Sequence, residues 1–121
     1  MNAADHDNKA ELIDQQQQAL DRSTAWFLII DGCHVAAQHY CWAAFDWAGA
    51  NHHAVSQNHR HGQIPGLLQQ TQAPAAVRDA WIELEKLRTR ATYGTGMNGV
   101  NADAARALLT AIRSWAVGLR P

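Results

Sequence analysis

The sequence predicts an all-α protein, a four- to five-helix up-and-down bundle spanning residues 1–121 as one domain. Three observations carry that reading. Apolar residues recur about every 3.6 residues along most of the chain. No stretch shows the strict alternation of a half-buried strand. Hydrophobic residues make up 47% and charged residues 17% of the chain, a balance that supports a packed core.

Residues 1–8 are expected to be a frayed N-terminus. From 9 to 30, apolar groups fall at Leu12/Ile13, Ala19/Leu20, Trp26/Phe27 and Ile30, so one helix is predicted there. The Gln15–Gln18 run fits that helix as a solvated surface, because glutamine is a good helix former. Gly32 is expected to end this helix and separate it from a second, Cys33–Ala48. That second helix is apolar nearly all round and so must be covered on every side. Its missing cover is expected from a second subunit, giving a homodimer packed through Tyr40, Trp42, Phe45 and Trp47.

Gly49, Gly62, Pro65, Gly66 and Pro74 punctuate 49–74 as a connection, with a short helical turn near Ile64–Gln70. The next helix starts at or just after Pro74 and ends at Tyr93, before Gly94. Its inner stripe is Val77, Trp81, Leu84, Leu87 and Ala91. Asn101 is the expected N-cap of the last helix, whose inner face is Ala105, Leu108/Leu109, Ile112, Trp115/Ala116 and Leu119.

The net charge of −1 excludes a polycation that coats nucleic acid. It conceals an asymmetry: residues 1–59 carry two basic and seven acidic side chains, residues 60–121 eight basic and four acidic. Cys33 and Cys41 stand eight residues apart on one predicted helix, roughly 12 Å along its axis. That is too far for a disulfide. Reduced thiols, the polar start of the chain and an apolar run of only six residues, Ala25–Ile30, lead us to expect a cytoplasmic protein with no membrane partner.

Gly94-Thr95-Gly96-Met97-Asn98-Gly99 spells a dinucleotide-type glycine pattern, but a helix precedes it where that motif needs a strand. It reads as a helix–helix connection ahead of a helix N-terminus, where free amides can receive an anion. His52, His53, His59 and His61 crowd one loop without a carboxylate or cysteine among them, so no metal and no cofactor is expected. His34 and His39 lie about 140° apart on their helix, a poor chelating pair, and each is expected to be a buried, hydrogen-bonded histidine. Cys41 has no basic neighbour in sequence and reads as an inert thiol.

Arg106, Arg113 and Arg120 recur every seven residues and share a helical face with ~20° of drift per step. Arg88 and Arg90 stand near the end of the preceding helix. Three readings are open. Arg88, Arg106 and Arg113 hold phosphates near the Gly94–Gly99 connection; the stripe is a solvated face; or it pairs with the acidic N-terminal half.

Four short segments resemble the HEPN family of small helical proteins. They are Trp42-Ala43-Ala44-Phe45, His59-Arg60-His61-Gly62, Leu87-Arg88-Thr89-Arg90-Ala91-Thr92-Tyr93, and Val100-Asn101-Ala102-Asp103-Ala104-Ala105. They stand where that family has Tyr-Tyr-Ala-x-Phe, Ser-His-Arg/Lys-Gly, Arg-x-x-Ala-Asp-Tyr and Val-Thr-x-Glu-Glu-Ala, in the same order, over about residues 20–119. Thr92 replaces the usual aspartate, and the turn at His59–Gly62 holds one extra residue. The Arg-x(4–6)-His motif of the family's ribonucleases is absent. His59, Arg60 and His61 are the only candidates for a rearranged Arg/His site.

The resemblance implies a non-catalytic helical module that binds a nucleotide, RNA or a protein partner such as a nucleotidyltransferase, in toxin–antitoxin or defence systems. Two alternatives stand beside it. One is a metal-independent ribonuclease toxin with a degenerate site; the other is a purely structural interaction dimer.

Overall fold

The computed structural model describes residues 1–50 and 61–121. Among these, five α-helices and no strand occur: α1 (Ala3–Gln18), α2 (Trp26–Trp47), α3 (Ile64–Gln70), α4 (Ala75–Tyr93) and α5 (Gly99–Val117). A 3₁₀ turn, His61–Gln63, leads into α3.

The N-terminus is helical from Ala3, where fraying was expected. The Asn2 side chain accepts a hydrogen bond from the Asp5 amide at 2.9 Å, and the Asp5 carboxylate accepts one from the Asn2 amide at 3.1 Å. This reciprocal cap satisfies two amides that a helix start otherwise leaves open.

The first two helices divide at a different place from the one periodicity suggested. α1 stops at Gln18, and the chain turns through 19–25. Asp21 makes that turn: its carboxylate accepts from the Ser23 and Thr24 amides at 2.8 and 3.2 Å, the local bonding that draws aspartate out of helices. α2 then runs unbroken through Gly32. A β-carbon at Gly32 would lie 3.3 Å from the β-carbon of Gln17 on α1. The glycine is there for the close crossing of two helices.

Side-chain pairs give the directions. His6 meets His39 while Gln17 meets Gly32, so α1 and α2 are antiparallel. Asp31 pairs with Arg88 and His34 with Glu85, so α2 and α4 are antiparallel. Asp7 reaches Arg120 while Gln17 reaches Arg106, so α1 and α5 are antiparallel too. The four long helices therefore alternate up, down, up, down.

α2 is the centre, packed mainly against α1 and α5 and then α4. Ile29, Ile30, Cys33, Ala36, Ala37, Tyr40, Cys41, Ala43, Ala44 and Phe45 on it are fully buried. Tyr40, Trp42 and Phe45 thus lie inside one chain; the surface expected for a second subunit does not exist at these positions. Trp42 and Phe45 meet edge-on at 5.6 Å, and Phe45 meets Trp115 of α5 at 6.3 Å. Only Trp47 of the four keeps partial exposure. The predicted stripes of α4 and α5 are the buried ones: Val77, Trp81, Leu84 and Leu87 on the first, Ala105, Leu109, Ile112 and Ala116 on the second.

Gly32→Val should lower stability by roughly 1–3 kcal/mol, because its branched carbons are forced against Gln17 in a filled crossing. Thermal unfolding followed by circular dichroism should show a melting point several degrees lower. Gly32→Ala, which gains about 1 kcal/mol of helix propensity and adds one tight contact, should change it much less.

Candidate functional site

The arginine stripe of α5 lies along the seam with α1. Arg106 donates from Nε to the Gln17 side chain at 2.9 Å, and from Nη2 to the backbone carbonyls of Gln17 and Leu20 at 2.7 and 3.0 Å. These are carbonyls at the C-terminal end of α1; that of Gln17 also accepts from the Leu20 amide at 3.1 Å. One guanidinium therefore caps a neighbouring helix at its negative end. Arg113 binds Glu11 at 2.9 Å, and Arg120 binds both Asp7 and Glu11 at 2.9 Å.

Arg88 is placed elsewhere, with its Nε 3.5 Å from Asp31 on α2. Arg88, Arg106 and Arg113 do not converge on one space. Arg88, Arg113 and Arg120 follow the third reading and pair with acids of the N-terminal half, whereas Arg106 binds Gln17 and two backbone carbonyls.

The α5 N-terminus is similarly engaged. Asn98, not Asn101, is its N-cap: the Asn98 side chain accepts from the Val100 amide at 2.9 Å, and Asn101 accepts from the Asn98 amide at 3.0 Å. Gly99 sits so close to the Arg22 carbonyl that a β-carbon would lie 2.9 Å from it. The Arg22 guanidinium forms a bidentate pair with Asp103, with contacts of 2.6–3.0 Å, in the first turns of α5. Its hydrogen bonds hold the Asp103 carboxyl below the usual carboxylate range. The opening into which an anion was expected is filled by the chain's own side chains.

Comparison with protein-family models, curated proteins and solved structures gives no match.

Beneath the arginines lies a buried polar seam. Asp14 is 5% exposed; it accepts from Gln17 and Gln18 at 2.8 and 2.9 Å, and from the Tyr40 hydroxyl at 3.3 Å. Burial and the neighbouring Asp14 and Glu11 carboxylates push the Tyr40 phenol up, well above its ordinary range. Burial raises the Glu11 carboxyl as well, but the polar Tyr40 hydroxyl beside it and hydrogen bonds from Arg120 and Arg113 outweigh that and leave Glu11 lowered. Nearby, the Nδ1 atoms of His6 and His39 are 2.9 Å apart, so one ring donates to the other.

His34 is the buried, hydrogen-bonded histidine that was expected. Its ring stacks on Trp81 at 5.3 Å. The Gln38 amide donates to its Nδ1 at 3.1 Å, which leaves the proton on Nε2, 3.5 Å from Glu85. The residue ties α2 to α4.

Both cysteines are free and buried. Burial raises the Cys33 thiol to about 12 and pushes Cys41 higher still. Among the described residues, no group of three His, Cys, Asp or Glu side chains is placed to hold a metal ion. His52, His53, His59 and Arg60 lie outside the described residues, as does the side chain of His61.

The sequence reading missed Arg22–Asp103 and the cap that Arg106 places on α1. The acceptors of that cap are largely backbone carbonyls, which sequence does not mark; Asp7 and Glu11, one turn apart, signal only the pairs with Arg113 and Arg120.

Arg106→Ala should destabilise the protein by roughly 1–3 kcal/mol, because two buried-side carbonyls and Gln17 lose a charged donor; denaturant unfolding reads this directly. Glu11 has a folded value below its ordinary 4.5, so its contribution to stability is present above that value and fades as pH falls through the folded one. Between about pH 5 and pH 3, Glu11→Gln should therefore lose less stability than the parent does. A thiol-exchange reagent should leave Cys33 and Cys41 unmodified in the folded protein and titrate both once denaturant is added.

Proposed function

We propose that this chain is a non-catalytic, HEPN-like helical module that works by binding a protein partner. The observation that carries the reading is the use of the arginine stripe. Arg106, Arg113 and Arg120 are engaged by α1, and Arg22 by Asp103. Phosphate recognition by bidentate guanidinium groups needs those groups available. The helix start that would receive an anion carries its own cap. Large apolar side chains do reach the surface, among them Leu12, Phe27, Leu28, Ile82 and Tyr93. Such groups are the usual material of protein contacts.

The HEPN resemblance supplies the functional class, and the absent Arg-x(4–6)-His spacing favours its non-catalytic branch. Labelled single-stranded RNA, titrated with the full chain at low salt and followed by anisotropy and by gel, tests the reading. The expected result is neither binding nor cleavage. Binding that weakens steeply with salt would replace it with the RNA-binding reading. Cleavage lost on changing His59 or His61 would replace it with the ribonuclease reading.

A further inference from the structure

We infer that the groove between α3 and α4 is a binding site for a small apolar α-amino acid in its zwitterionic form. Arg78 receives the carboxylate and Asp79 the ammonium group. This site goes beyond the protein-contact reading and does not depend on it.

The groove measures about 330 Å³ and is lined by Pro65, Leu68 and Gln69 of α3 and by Arg78, Asp79 and Ile82 of α4. Leu68 is fully buried and Ile82 is 43% exposed, so each helix contributes an apolar wall. The volume lies near the lower end of the roughly 300–1,000 Å³ that small-molecule pockets occupy, which suits a small ligand.

Two opposite charges stand at this groove. Arg22, Arg88, Arg106, Arg113 and Arg120 are each held by groups elsewhere in the chain. Among the described residues, neither Arg78 nor Asp79 has an ion pair or a side-chain hydrogen bond. The sequence explains the difference. Neighbours on a helix project about 100° apart, so these two do not face each other. Three and four positions away, Arg78 meets Pro74, Ala75, Trp81 and Ile82, none of them acidic. At the same spacing Asp79 meets Glu83 and no base. The two charges therefore flank the groove uncompensated.

Charge selects the ligand. A phosphate or a lone carboxylate gains Arg78 but is repelled by Asp79, and a lone amine meets the reverse. A ligand with both charges on adjacent groups satisfies both. The Arg78 fork takes a carboxylate bidentately, and the Asp79 carboxylate accepts from an ammonium. The Gln69 amide donates and accepts, so it serves either end. Pro65, Leu68 and Ile82 then match an apolar side chain such as that of leucine. Within a polypeptide the α-amino and α-carboxyl groups are joined into peptide bonds, so the class is the free amino acid.

Titrating the isotope-labelled full chain with L-leucine, followed by amide chemical shifts, tests the site. Saturable shifts should appear along α3 and residues 75–82, with a Kd of roughly 1 mM, the weak range that exposed ion pairs allow. Leucinamide lacks the carboxylate and N-acetyl-leucine lacks the ammonium; each should bind at least about tenfold more weakly. Arg78→Gln and Asp79→Asn should each remove the saturation and leave the melting point unchanged, because both side chains are exposed. Absence of saturable shifts with L-leucine overturns the proposal. So does equal affinity for leucine and either derivative, or saturation that survives in either variant.

Discussion

α2 buries twelve of its 22 residues, and the rest of the chain is arranged around that constraint. Burying its isoleucines, alanines and aromatic rings is the largest favourable term available to a chain of 121 residues. The cover comes from three directions: α1, α4 and α5. Small residues make the arrangement possible. Ala36, Ala37, Ala43 and Ala44 on α2, with Ala102, Ala105 and Ala116 on α5, are all fully buried. They allow helix axes to approach closely, at the near end of the usual spacing. Gly32 extends the same device to α1, on the one side where even a methyl group is crowded.

α1 is the unusual part of that cover. Its buried residues are His6, Ala10, Asp14 and Gln17, three of them polar. A helix with so little apolar surface gains little from burial alone, and its polar groups must find partners or cost stability. They find them in α2 and α5: Tyr40 for Asp14, His39 for His6, and Arg106, Arg113 and Arg120 for the ends and outer edge of the helix. The hydrophobic term thus sets where α2 lies, and hydrogen bonding sets where α1 lies on it. A seam held this way depends on the ionisation of its carboxylates, which a leucine-lined seam does not.

The sequence made α3, α4 and α5 legible because each has a clean apolar stripe and a proline, glycine or asparagine at its boundary. Where it misled, two physical effects competed. Apolar periodicity runs through 9–30 without a visible break, yet the Asp21-Arg22-Ser23-Thr24 cluster turns the chain, because an aspartate carboxylate reaches amides two and three residues on. Gly32 looks like punctuation from its helix propensity, but its neighbour in space needs the room. The aromatic helix suggested a subunit interface because one sequence cannot show how many of its own elements will pack on it. The arginine repeat was plain, whereas its partner could be assigned only after α1 and α5 were seen to lie antiparallel.

That last point bears on function. The opposite charges of the two halves suggest a basic surface for a ligand when the sequence is taken as a line. Folded, the same charges neutralise each other across α1 and α5, and Arg22–Asp103 and Arg88–Asp31 extend the pattern to two more contacts. These pairs are partly exposed, so each contributes little, and several together fix how α1 lies against α5. Charge in this bundle thus specifies how the helices assemble.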